Sequence, residues 1–588
     1  MTELKSPSPV DILQTIAVFQ GVETRRLNRL ARDARSLAVP GGVTIVRPGD
    51  PTEAVYVVRS GALAVFEQGL DGRRRQVAIL RAGEMAGETA FAAGAAKHSR
   101  ALVALRDTEI LILPSKAFGR AVQGSANLAV NLARLIARRQ RAERLNLAFA
   151  PQSFAVLVYG DLAPARAVLD TLVAALQDCG RAACVIDARA RLETSTWFDA
   201  IERNHHAVFY LADARLSEWS DRARRQADRL IVVGYADVAP PFRSFKSIRP
   251  QGAMEGILDL VLFRARSRAS SLAHRWSDAV RPDRLFTLTE GNSADVARLA
   301  RMAAGRAVSL VLSGGGARAY AHIGALRALR SRGVPLDFLG GSSMGAVIAA
   351  SVAMGWTDDE IDDRMRDAFV RSNPVNDFTL PVVALVRGAK VDQRLKRHFG
   401  DVRIEDLDRP FFCVSANLTT GEPVIHRTGL LRSALRKSLA IPGLLPPVIA
   451  EDGVHVDGAV MKTFPLDVMR ETHIGPVLGC DVSRDAGLDP NEFANPPTFL
   501  EWMLRRGPRA TPPIAQVLFR AANAMPAAER QGQYDHADLV ISPEIPDASM
   551  RDWRNYETVV EAGFRATETA LLETRPTLGR WLSASKPR

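Results

Sequence analysis

Two stretches of this chain, VSLVLSGGGARAYAHIGALRAL from Val308 and VPLDFLGGSSMGAVIAASVAMG from Val334, each pass from a short apolar run through a glycine-rich turn into a helical run. A strand, a tight turn and a helix in that order make up the unit of a parallel sheet covered by helices. Two such units in succession commit this part of the chain to an α/β core.

With 588 residues the chain exceeds one ordinary core, and its composition, 47% hydrophobic and 24% charged, lets it bury several. Residues 12–145 begin with a short helix and continue as alternating strands broken by Gly, Pro and Asp: VTIVRPGDP, AVYVVRSGALAVF, QVAILRAGEMAGE and EILILP. That pattern predicts a β jelly roll or small barrel, closed by a helical tail from about Ala117 to Leu145. Residues 151–265 alternate strand-like runs (FAVLVYG, ACVIDA, AVFYLAD, RLIVVGY) with helical ones, an α/β domain of parallel strands. No nucleotide-binding glycine pattern follows those strands, so a structural or coupling role is expected there. Residues 266–305 read as a basic, helical linker, and 306–580 as the third domain.

The formal charge of +12 favours an anionic partner, whether nucleic acid, acidic lipid headgroup or small ligand, but much of the excess is arginine scattered along helices, which equally suits a solvated face. Cys179, Cys184, Cys413 and Cys480 have neither zinc-site spacing nor the density of a disulfide scaffold, which fits a reducing, cytoplasmic setting. The amino-terminal MTELKSPSPVDILQ lacks the basic and apolar regions of a secretory signal. The longest apolar runs, such as Met344 to Trp356, fall short of the roughly 20 residues that span a bilayer, so membrane contact is expected to be peripheral, on the inner face.

Gly341-Ser342-Ser343-Met344-Gly345 is a G-x-S-x-G set between a strand-like and a helical run, where glycines either side of the serine let it project beneath a helix N-terminus; Ser343 is the nucleophile candidate. Gly314-Gly315-Gly316-Ala317-Arg318 also follows a strand and opens a helix, so its backbone amides are placed to face a developing oxyanion. The competing phosphate-loop reading lacks the Lys and Ser or Thr that should follow the glycines. Asp457, in HVDGA, is a candidate general base, although a DG pair by itself is an ordinary turn. A Ser-His-Asp arrangement is the rival, with His322, His398, His426, His455 and His473 all in this segment.

Taken in order, GGGARAYAHIG, GSSMG and DGA, with SLAIPGLLPPV (Ser438 to Val448) ahead of the aspartate, resemble the patatin-like phospholipase family over about 306–545. The resemblance implies a three-layer α/β/α sandwich, Ser343 and Asp457 as a dyad without histidine, cofactor or metal, and Gly314, Gly315, Gly316 and Arg318 as the oxyanion region. Upstream, RPGDPTEAVYVVRSGALAVF and GEMAGE resemble a cyclic-nucleotide-binding domain. There Gly87 and Glu88 would contact phosphate and ribose, but His98 stands where that family places its phosphate arginine and Arg100 lies two positions late. An imidazole grips phosphate less well than a guanidinium fork, so weak or absent nucleotide binding is expected. The stretch TSTWFDAIERNHHAVFYLADARLSEWSDRARRQADRLIVVG is similar to the corresponding region of neuropathy target esterase-like proteins, whose domain order this chain shares. That likeness implies a serine lipid acyl hydrolase acting on phospholipid or lysophospholipid, with the N-terminal domain as a regulatory or docking module and a homo-oligomer among its possible forms. The alternatives are a cyclic-nucleotide-responsive signalling protein using the esterase fold as a scaffold, and a DNA-binding regulator. Nucleic acid is not expected as a partner, because no helix-turn-helix follows the barrel.

Overall fold

The computed structural model describes residues 8–68, 74–144, 152–178, 180–215, 217–242, 258–265, 271–371, 374–380, 382–473, 475–483, 527–545 and 555–574. Its contacts divide the chain into two units, one of Met1–Val261 with Ala279–Asp283 and Ala303–Gly305, the other of Leu262–Asp278, Arg284–Met302 and Arg306–Arg588.

In the first unit the alternating amino-terminal segment folds as a jelly roll of two antiparallel four-stranded sheets. One runs Arg35–Val39, Thr108–Pro114, Ala54–Ser60, Met85–Ala86; the other Thr44–Val46, Ala101–Ala104, Ala62–Gln68, Arg74–Arg81. Val39, Val58 and Ile110 of one sheet meet Leu63, Leu80 and Leu102 of the other, the inward half of each period-two pattern. The expected single helical tail is two helices, Ser115–Gln123 and Ala126–Arg144. The break falls at Gly124-Ser125, where the Ser125 hydroxyl accepts the Leu128 N–H at 3.4 Å and restarts the helix. Leu145 lies outside the described residues.

The four expected strands of the middle segment pair in parallel, in the order Ala183–Ile186, Ala207–Asp213, Ser153–Val158, Arg229–Tyr235. SFAVLV is buried along its whole length, as a strand covered on both faces must be. A further strand, Leu258–Arg264, follows in the order and was not foreseen from the sequence.

The stretch read as a helical linker does contain helices Ala273–Val280 and Ser293–Ala303, but between them RLFTLT is a strand, Arg284–Thr289. Pro282 stops the first helix, and the Phe and Thr residues after it favour the pleated conformation.

The second unit is an α/β/α sandwich on an eight-stranded sheet. Phe411–Asn417, Phe338–Ser342, Ser309–Leu312, Val477–Cys480 and Leu539–Ile541 run parallel. Gly453–Asp457 pairs antiparallel with Phe411–Asn417, which also carries Glu422–His426, and Val448–Ala450 forms the edge. The helix Met344–Ala353 (MGAVIAASVA) has no charged residue and is buried all round. Among the described residues no helix is long and apolar enough to cross a membrane.

Candidate active site

Ser343 sits between the end of the strand Phe338–Ser342 and the start of the helix Met344–Ala353, at φ 53° and ψ −130°. A non-glycine residue in that region carries backbone strain of about 1–3 kcal/mol, held by the surrounding packing. The two glycines of the motif have separate reasons. A Cβ on Gly341 would lie 2.8 Å from the Ala346 nitrogen, and one on Gly345 would lie 2.4 Å from the Ser313 carbonyl oxygen. The turn therefore closes only without side chains there.

The Ser343 hydroxyl donates to Asp457 Oδ2 at 2.6 Å, and the Ser343 N–H donates to the Ser438 hydroxyl at 2.9 Å. Asp457 ends the strand Gly453–Asp457; its Oδ1 accepts the Ala459 N–H at 2.8 Å and its own N–H is held by the Ala440 carbonyl at 2.9 Å. Gly458 lets the chain turn away from the carboxylate, because a Cβ there would fall 2.1 Å from the Val414 carbonyl oxygen. Burial raises the Asp457 pKa to about 7, against the opposing hydrogen bonds from Ser343 and Ala459. A carboxylate so placed exchanges a proton near neutrality.

The glycine-rich turn Gly314–Gly316 lies against this pair. A Cβ on Gly314 would be 3.3 Å from both Ser343 Cβ and Ala459 Cβ, and Gly316 takes a left-handed φ of 57°. The Gly314 N–H donates to the Thr463 carbonyl at 3.0 Å, so that amide is already engaged. The N–H groups of Gly315, Gly316 and Met344 have no acceptor among the described residues. Arg318 is buried within the 3-10 turn Gly316–Tyr320.

None of the five histidines hydrogen-bonds to Ser343 among the described residues. His322 Nε2 lies 2.9 Å from the Ser313 carbonyl. A carbonyl only accepts, so that nitrogen carries the proton. Burial brings the His322 pKa down to about 4, so the ring is neutral and braces the glycine turn. His398 faces Asp367, and His473 is buried against Phe338. His426 and His455 share the Ser415 hydroxyl at 2.8 and 2.9 Å, and His455 Nε2 reaches Asp452 at 2.9 Å. Ser415 is the cross-strand partner of Asp457, so this chain of polar groups, running from buried Ser415 and His455 out to exposed Asp452, supports the aspartate strand. Ser438, Ser415 and Asp452 were not singled out from the sequence; Ser438 did stand at the head of SLAIPGLLPPV.

In the jelly roll Gly87 takes a left-handed φ of 86° and Glu88 opens a short helix. Glu88 is buried and ion-paired with Arg139, a residue the sequence reading passed over, whose Nη2 also donates to the Met85 carbonyl at 2.7 Å. Arg100 lies 3.8 Å from Glu67. Among the described residues no group of three or more His, Cys, Asp or Glu side chains is placed to hold a metal ion.

Three known domains match along the chain: a cyclic nucleotide-binding domain over residues 37–125, a neuropathy target esterase family P-loop like domain over 167–281, and a patatin-like phospholipase domain over 310–470. An NTE family protein of Mycobacterium tuberculosis (strain ATCC 25618 / H37Rv) is 30% identical over 588 residues, 97% of each chain. The human patatin-like phospholipase domain-containing protein 6 is 28% identical over 526 residues, 78% of this chain and 38% of its own. Among solved structures, the catabolite activator protein of Thermus thermophilus aligns with 27% of this chain and 68% of its own, at 28% identity and a TM-score of 0.21.

Proposed function

This chain belongs to the NTE family, and on that premise we propose that it hydrolyses carboxylic esters of phospholipids or lysophospholipids with Ser343 as nucleophile and Asp457 as general base. The observation that carries the reading is the 2.6 Å hydrogen bond from the Ser343 hydroxyl to an Asp457 carboxylate whose burial sets its pKa to about 7.

In the first half-reaction Ser343 Oγ attacks the acyl carbonyl carbon while its proton passes to Asp457 Oδ2. The carbonyl oxygen becomes an oxyanion, for which the unengaged amides of Gly315, Gly316 and Met344 are the available donors, aided by the positive end of the helix Met344–Ala353. Collapse breaks the ester bond, the Asp457 proton goes to the departing alkoxide, and the acyl group stays on Ser343. Water then attacks the acyl-serine, giving its proton to Asp457, and the fatty acid leaves as Ser343 regains its hydrogen. One residue serves as base and acid in turn because its pKa lies near working pH. Arg318 is assigned to the oxyanion region as a positive charge behind the turn.

The test is Ser343→Ala in the full chain. Ester hydrolysis should disappear while the thermal transition stays near that of the wild type, and a fluorophosphonate should add its mass to the Ser343 peptide of the wild type alone. A folded Ser343→Ala protein with near-normal turnover would end the dyad reading. Product analysis on mixed phospholipids and lysophospholipids then assigns the substrate.

A further inference from the structure

Between Asp377 and Arg387 the chain of the second unit forms a small hairpin: the Arg387 N–H donates to the Asp377 carbonyl at 2.9 Å, Phe378 bridges Val386, and the Thr379 N–H donates to the Leu385 carbonyl at 3.0 Å. Its base is anchored, with Val386 fully buried and Phe378 and Leu385 packed on the main core. Its tip is not. Leu380, Val382 and Val383 are 82%, 87% and 66% exposed. Single exposed aliphatic residues are ordinary, and among the described residues the other exposed large apolar side chains stand one at a time, but three within four positions on an anchored hairpin are not.

The part-buried Asp377 at the base of the hairpin accepts the Lys390 N–H at 3.3 Å, and the charges that the hairpin itself exposes beyond it are cationic. From Thr379 to Lys390 the sequence has no acidic residue, while Arg387 and Lys390 are exposed and Arg387 makes no ion pair among the described residues. The hairpin is also tied to the dyad through a single segment. Leu385 and Val386 donate to the carbonyls of Gly443 and Leu444 at 3.0 and 3.1 Å, and the same segment supplies Ser438 to the Ser343 N–H and Ala440 to the Asp457 N–H.

We propose that the hairpin tip, Leu380, Val382 and Val383 with Arg387 and Lys390 at its base, is a lipid-surface docking site that inserts into the headgroup layer of an anionic bilayer. An apolar tip with two exposed cations at its base is the complement of such a surface: the aliphatic groups leave water and the cations meet acidic headgroups. The proposal rests on the ester-hydrolase reading for its purpose, but the docking can be measured without turnover.

The experiment uses the full chain in a Ser343→Ala background, floated with phosphatidylcholine vesicles with and without phosphatidylglycerol. Adding Val382→Asp and Val383→Asp should lower vesicle partitioning at least about tenfold, since two aliphatic groups that would enter the headgroup layer become charges. Arg387→Gln should lower it a few-fold, and only when phosphatidylglycerol is present. With Ser343 intact, the double aspartate variant should turn over a short-chain ester below its micellar concentration at a rate within about twofold of the wild type, because no reacting group has changed. Unchanged flotation of the double variant would overturn the proposal, as would equal loss on soluble ester and vesicle. A changed oligomeric state in light scattering with flotation intact would assign the hairpin to a second copy of the chain instead. If the wild type hydrolyses no ester but flotation behaves as stated, the ester-hydrolase reading fails and the docking surface stands.

Discussion

Asp457 is fully buried, accepts hydrogen bonds from Ser343 and Ala459, and faces no cationic side chain among the described residues. Its ionised form is therefore poorly compensated, and the sign of the consequence can be worked out. The folded state holds the proton up to about pH 7, whereas the unfolded chain releases it near the ordinary 3.8. The stability due to that proton is present below the unfolded value and is lost as pH rises through 7. A difference of roughly three pKa units corresponds to about 4 kcal/mol at full ionisation. Asp457→Asn should thus be more stable than the wild type at pH 8, and the gap should close toward pH 4, which calorimetric melting at the two values checks. The same variant should lose about two to four decades of turnover through loss of the base. The wild-type kcat/KM should rise with pH along a limb centred near 7, and a limb near pH 4 would remove Asp457 from the base role.

At the scale of elements, glycines decide which surfaces can meet. The helices Ala321–Ser331 and Tyr556–Glu573 cross where a Cβ on Gly324 would lie 1.8 Å from the Val560 carbonyl oxygen and one on Gly563 would lie 1.9 Å from that of Ala321. Neither contact has room for a methyl group, so Gly324→Ala or Gly563→Ala should destabilise the chain by about 3 kcal/mol or more, read as a lower urea midpoint at unchanged slope. Gly324 belongs to the HIG of the quoted motif, and its role there is this crossing. The elbow was legible from the sequence because its demands are local: Gly341 and Gly345 are needed by residues within a few positions or on the adjoining strand. The choice between aspartate and histidine was not, because His426 and His455 are committed to Ser415 through the pairing of strands far apart in sequence. Ser438 is likewise 95 positions from the amide it holds. The strand Arg284–Thr289 was missed because six residues between two helices carry too little periodicity to stand out, and the engagement of the Gly314 amide depends on Thr463, far along the chain in the loop after the aspartate turn.

At the scale of the whole molecule, the remaining question is whether the jelly roll reports on a ligand. A cyclic phosphate buried in a protein needs a paired cation. Arg100 is directed to Glu67, and His98, where the family's arginine is expected, is 8% exposed. Burial lowers the His98 pKa below the usual imidazole value despite the nearby Asp50 carboxylate, so the ring is neutral at pH 7 and supplies no charge. Glu88, the residue that would meet the ribose, is held by Arg139. The domain therefore has the fold of a cyclic nucleotide-binding domain, while the two candidate phosphate partners named from the sequence are a neutral His98 and an Arg100 directed to Glu67. Titration calorimetry of the full chain with cyclic AMP or cyclic GMP at micromolar concentrations should show no saturable heat, and neither nucleotide should change the rate of ester hydrolysis. Because only a protonated His98 could pair with the phosphate, any weak heat should grow as the pH is lowered and vanish in His98→Gln. A micromolar or tighter dissociation constant at pH 7 that is lost in Arg100→Ala would reverse the argument, because it would show that Arg100 leaves Glu67 to take the phosphate and that nucleotide controls this hydrolase.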